Sequence, residues 1–108
     1  MVDENLLQRF KKAVGNGIEF DKAGHALKRI VQRNIDYDTI ETSLRSYDKI
    51  KEMKVYNPPD AYRVYISLSP KKTLIVGVIL KDICIVKTAF IIQEKYQHRV
   101  DRLWRHSK

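Results

Sequence analysis

Three side chains that can handle a phosphodiester recur at one spacing: His25, Arg29 and Arg33, at i, i+4 and i+8. On a helix, residues four apart share a face. Histidine moves protons near neutral pH, and arginine carries a permanent charge that matches phosphate. Cleaving RNA without a metal needs a base for the ribose 2′-hydroxyl and an acid for the departing 5′-oxygen. It also needs cations for the pentavalent phosphate. His25 suits the acid or the base, Arg29 the phosphate partner and Arg33 a second cation, although Arg33, two turns on, is equally able to face solvent. A partly exposed helix histidine beside solvated arginines has the same spacing, so spacing alone does not assign catalysis.

Two further segments carry chemistry suited to RNA. In Tyr62-Arg63-Val64-Tyr65, Arg63 can bind phosphate and Tyr65 can stack on a base. Half-buried strand aromatics look the same in sequence, so both readings stand. Near the C-terminus, Arg99, Arg102 and Arg105 share one helical side and suit contacts that position phosphates. The opposite side, Tyr96, Val100, Leu103 and Trp104, reads as packing surface. Metal chemistry has less support. His25, His98 and His106 lack ligand spacing, there is no HExxH or cysteine pair, and Asp36 and Asp38 are explained by helix capping. There is no GxSxG, P-loop or GxGxxG. No cofactor is expected.

The elements that must position these residues follow from period and punctuation. Asp3 is an N-cap for a helix with Leu6, Leu7, Phe10 and Val14 on one side, stopped by Gly15-Asn16-Gly17. Asp21 is a second N-cap, opening the helix that carries His25, Arg29 and Arg33, with Ala23, Ala26, Leu27 and Ile30 on its apolar side. Asp36 caps a third, shorter helix, with Ile35 and Ile40 spaced as a hydrophobic staple. Strands are expected at residues 50–56, 61–68, 73–80 and 83–92, with a strong turn at Asn57-Pro58-Pro59-Asp60 and a tight hairpin at Lys81-Asp82. Residues 61–68 have two faces: Tyr62, Val64, Ile66 and Leu68 on one, Arg63, Tyr65 and Ser67 on the other. Gly77 inside its strand marks a bulge or a close approach. Residues 94–106 return to helical spacing.

Helices first and strands afterwards predict an α+β fold: N-terminal helices on a four-stranded, mainly antiparallel sheet, with a C-terminal helix. At 108 residues the chain is one domain, residues 1–108, and 44% hydrophobic content is enough for a core. Net charge is +8 and the pI about 9.7, which favours a polyanionic partner. Cys84, the only cysteine, lies in an apolar run and reads as an inert core thiol in a reducing compartment. The N-terminus has no basic region followed by an apolar core, so it does not read as a signal peptide, and the longest apolar run is too short to span a bilayer. No stable membrane association is expected.

The pattern His25-Ala26-x-x-Arg29, then Arg33-Asn34-Ile35-Asp36-x-x-x-Ile40, a polar turn and strands ending in Ile85-Val86-Lys87-Thr88-Ala89-Phe90 resembles a known group. It is similar to small domains of the barnase/EndoU/colicin/RelE-like ribonucleases, in the HAxxR branch found in bacterial toxins. The resemblance covers residues 22–90. It implies helices on a curved antiparallel sheet, metal-independent RNA cleavage, and His25, Arg29 and Thr88 as site residues. Val2-Asp3-Glu4-Asn5 faintly resembles the VENN-type junction before the variable toxin tails of contact-dependent growth inhibition systems, without being an intact VENN. That likeness implies the C-terminal toxin of a much larger exported protein, acting in a neighbouring cell's cytoplasm. Its implied partners are tRNA, a dedicated immunity protein and a host factor such as elongation factor Tu. The expected function is an antibacterial ribonuclease acting on tRNA. The alternatives are a RelE-type mRNA interferase of a toxin–antitoxin pair and a non-enzymatic basic RNA- or protein-binding domain.

Overall fold

Asp3 opens the first helix by accepting a hydrogen bond from the Asn5 backbone N–H at 2.9 Å. This satisfies a donor that the first helical turn leaves without an internal partner. The computed structural model describes residues 3–21, 35–57 and 60–93. Along the chain these form α1 (Glu4–Asn16), β1 (Ile18–Phe20), α2 (Tyr37–Arg45), a 3₁₀ turn (Tyr47–Lys49), β2 (Ile50–Asn57), β3 (Ala61–Ser69), β4 (Lys72–Leu80) and β5 (Cys84–Gln93).

The apolar side of α1 turns inward, burying Phe10, Ala13 and Val14. The helix ends at Gly17, whose N–H donates to the carbonyls of Ala13 and Val14. Its φ of 151° is a conformation that side chains with a Cβ rarely adopt. Arg45 on α2 donates to the Val14 carbonyl at 3.3 Å, satisfying a further group at the same helix end. Asp36 caps α2 through the Asp38 N–H at 3.2 Å. Ile35 and Ile40, the staple pair, are both buried.

Among the described residues the sheet has five strands in the order β1-β5-β4-β3-β2. The β2–β3, β3–β4 and β4–β5 pairings are antiparallel, as the run of strands predicted. The expectation of four strands is corrected by β1, which pairs with β5 in parallel and makes the sheet mixed. Three residues, Ile18-Glu19-Phe20, are too few to display a period of two, so no alternation announces this strand. Tertiary contacts create it: Cys84 N–H donates to the Gly17 carbonyl and Asp21 N–H to the Val86 carbonyl, each at 2.9 Å. The helices expected over residues 22–33 and 94–106 lie outside the described residues.

Both described helices cover one face of the sheet. There Phe10, Val14, Ile40 and Leu44 meet Val64 and Ile66 of β3, Leu74, Val76 and Val78 of β4, and Val86 of β5 in one core. Each such side chain contributes roughly 1.5–3 kcal/mol on burial. Cys84 sits in this core, fully buried, and burial pushes its thiol up to about 12. That fits the inert thiol the sequence predicted. Arg9 ties the layers together, donating to Asp60 Oδ1 at 3.0 Å, to the Tyr62 hydroxyl at 3.2 Å and to the Leu80 carbonyl at 3.4 Å.

Candidate functional site

The face of the sheet opposite α1 and α2 carries the described residues that could meet RNA. Pairing of adjacent strands sets them in a row: Lys54 of β2 opposite Arg63 of β3, Arg63 opposite Gly77 of β4, and Gly77 opposite Thr88 of β5. Neighbouring strands lie about 4.8 Å apart, so Arg63 and Thr88 face each other over roughly 10 Å with only a glycine between them. The next row, Glu52, Tyr65, Ile75 and Phe90, borders the first with larger side chains. The result is an open cavity of ≈ 450 Å³ bounded by Tyr56, Arg63, Gly77, Ile79, Thr88 and Phe90, with Lys87 at its rim. That volume falls in the roughly 300–1,000 Å³ range of small-ligand sites.

Gly77 is the floor for a stereochemical reason. A Cβ at this position would come 2.7 Å from Thr88 Cγ2, inside van der Waals contact. The register also shifts between Gly77 and Val78, where Thr88 and Val86 are the successive partners on β5 and Lys87 is left over. Such a bulge places two residues against one and re-aims their side chains. Val86 and Ala89 remain buried in the core while Lys87 and Thr88 both lie on the outer side. Gly77 therefore meets both sequence expectations at once, the bulge and the close approach.

Charge and aromatic groups surround this floor. The Arg63 guanidinium lies 4.3 Å from the centre of the Tyr56 ring. Lys54 Nζ lies 5.3 Å from the centre of the Tyr65 ring, and Lys54 also pairs with Glu52 at 3.8 Å. A guanidinium stacked on a ring still presents its N–H edge in the plane, the geometry that forks onto phosphate. Among the described residues no carboxylate pairs with Arg63. Lys87 forms an ion pair with Asp21, whose backbone is hydrogen-bonded to Val86. Among the described residues no three His, Cys, Asp or Glu side chains converge as a metal-ligand set.

Of the residues singled out in the sequence, the structure brings Arg63 and Thr88 to one cavity and places Tyr65 in the adjoining row, half-buried. His25, Arg29, Arg33, Arg99, Arg102 and Arg105 lie outside the described residues. The cavity residues that sequence reasoning missed include Tyr56 and Lys87. Lys87 did leave a signal: Lys87-Thr88 is a polar doublet inside an apolar strand, which breaks the alternation a regular strand would keep. Tyr56 left none, because a tyrosine beside a turn is ordinary. No protein-family model, curated protein or solved structure matches the chain.

Proposed function

We propose that this protein is a metal-independent ribonuclease of the antibacterial toxin type, with tRNA as its substrate. The observation that carries the reading is the row Arg63–Gly77–Thr88, which sets an arginine and a threonine on either side of a glycine floor. A phosphodiester bound there would accept hydrogen bonds from the Arg63 guanidinium and the Thr88 hydroxyl, with the Lys87–Asp21 ion pair at the rim.

His25 supplies the proton transfer in this reading. It follows Asp21 by four residues in the sequence, and Asp21 is held against β5 by its backbone bond to Val86 and its ion pair with Lys87. In the reaction the 2′-oxygen bonds to the adjacent phosphorus and gives its proton to a base. The bond from phosphorus to the 5′-oxygen breaks, and that oxygen takes a proton from an acid. The products are a 2′,3′-cyclic phosphate and a 5′-hydroxyl. His25 is one of the two proton carriers, and Arg29 joins Arg63 in the role of phosphate partner. A cognate immunity protein and a host factor such as elongation factor Tu remain the partners this reading implies.

The test is incubation of purified protein with total RNA, with and without cell extract, followed by sequencing of RNA ends. Breaks at one tRNA position, absent for His25→Ala and Thr88→Ala, are the expected result. Breaks within codons of ribosome-bound mRNA would move the reading to an mRNA interferase. Salt-sensitive RNA binding without scission would make the chain a binding module.

A further inference from the structure

Tyr56 is the most exposed large apolar side chain of the described sheet, at 64%, yet it lies on the cavity rather than on bare surface. The Arg63 guanidinium stacks over its ring at 4.3 Å. This contact favours one placement of the ring before any ligand arrives, which lowers the ordering cost of binding. Tyr65, the other tyrosine of the same face, is less available: it is half-buried in a row with Ile75 and Phe90, and Lys54 stands over its ring.

We infer that Tyr56 and Arg63 together form a subsite for one unpaired nucleotide, whose base stacks on the face of the Tyr56 ring opposite the one Arg63 covers and whose phosphate is held by Arg63. The inference rests on the ribonuclease reading and adds the substrate class: single-stranded RNA, or a loop of folded RNA, at the nucleotide beside the reactive phosphate. An aromatic face with a cation at its side is the combination that binds single strands with little sequence preference. A duplex base already stacks on its neighbours and has no π-face to offer, so paired RNA does not fit. The surroundings favour a nucleotide over an apolar protein anchor, because Arg63, Lys87 and Thr88 border the same cavity.

The experiment is fluorescence anisotropy of the full chain with a short labelled single-stranded oligoribonucleotide, its duplex, and a single strand with one abasic position moved along it. The same variants are assayed for cleavage of total RNA. Tyr56→Ala is expected to weaken single-strand binding roughly 5- to 150-fold, whereas Tyr56→Phe stays within about twofold of the native protein. One abasic position should cost the native protein the same factor and cost Tyr56→Ala nothing further. Equal binding by Tyr56→Ala and native protein, an abasic penalty that persists in Tyr56→Ala, or equal affinity for duplex would each overturn the subsite. The abasic arm uses the native chain, so it stands even if Tyr56→Ala folds poorly. The two readings fail separately. Cleavage unchanged in Tyr56→Ala removes the subsite and leaves the nuclease. Tyr56-dependent binding without scission keeps the subsite and removes the nuclease.

Discussion

Gly77 on β4 stands directly opposite Thr88 on β5, and a Cβ built at Gly77 would lie 2.7 Å from Thr88 Cγ2. Threonine is stiff at χ1, so Thr88 cannot swing aside as a long flexible side chain would. Gly77→Ala should therefore cost roughly 1–3 kcal/mol, the usual range for overpacking. Thr88→Ser removes the offending methyl and keeps the hydroxyl, so the double variant should recover much of that stability. Chemical denaturation of the two single variants and the double closes the cycle. In the ribonuclease reading, cleavage by Gly77→Ala falls at least tenfold, since small displacements of a positioned group are costly. An unchanged unfolding midpoint in Gly77→Ala would contradict the close approach of the two residues.

Arg63 and Lys87 should separate by what they bind. Arg63→Gln is expected to lower the slope of log affinity for single-stranded RNA against log salt by about 0.7, the change expected when one fewer phosphate is neutralised, whereas Lys87→Gln, whose charge is already matched by Asp21, should change it less. In the ribonuclease reading, cleavage by Arg63→Gln should also fall by roughly two to three orders of magnitude, as when an oxyanion-stabilising donor is removed. The side chains of Lys87 and Asp21 are 46% and 17% exposed, so their pair adds under about 1 kcal/mol to stability. Lys87→Gln should consequently unfold close to the native midpoint.

Arg9 provides the converse. It lies on the helix-covered side and bridges α1 to Asp60, Tyr62 and Leu80. Arg9→Ala should destabilise by about 1 kcal/mol, because its ion pair is largely solvated while its bonds to Tyr62 and Leu80 are partly buried. RNA binding and cleavage at temperatures well below unfolding should not change. A weakening of binding as large as that of Arg63→Gln would place the nucleic-acid face on the wrong side of the sheet.

Cys84 makes a pH prediction with a defined sign. Its thiol titrates near 9.0 when solvated and is pushed up to about 12 by burial in the fold. Below pH 9 both states keep the proton, and the group adds no pH dependence. Between about 9 and 12 the unfolded thiol ionises while the folded one does not, so stability falls as pH rises, by at most roughly 1.4 kcal/mol per unit. Denaturation at pH 8, 9 and 10, referenced to Cys84→Ala to subtract other groups, measures the slope. Thiol-reactive probes at pH 8 should modify Cys84 only as fast as the protein opens.

Most of the described framework is legible in the sequence. The capped starts of α1 and α2 are readable because Asp3 and Asp36 stand just before periodic apolar residues, and a cap is a local event. β3 is readable because Tyr62, Val64 and Ile66 alternate with Arg63 and Tyr65. The inner and outer faces follow from that alternation alone. β1 is not, because its three residues become a strand only when Gly17 and Asp21 bond to β5, and Phe20 is no more strand-like in sequence than its neighbours. Tyr56 escapes notice for the same kind of reason: its partner Arg63 is on the next strand, beyond the reach of spacing arguments.

By itself the sequence determined the local elements and the apolar faces of α1, α2 and β3, and it offered Arg63, and through the family resemblance Thr88, as candidates to hold phosphate. Periodicity and capping act over a few residues, and side-chain chemistry travels with the residue. Tertiary structure decided which of those groups share a site. Strand register set Arg63, Gly77 and Thr88 in one row, and the bulge at Gly77 turned Lys87 to the same side. Register depends on the packing of α1 and α2 against one face of the whole sheet, a condition met only when residues far apart in the chain are assembled together.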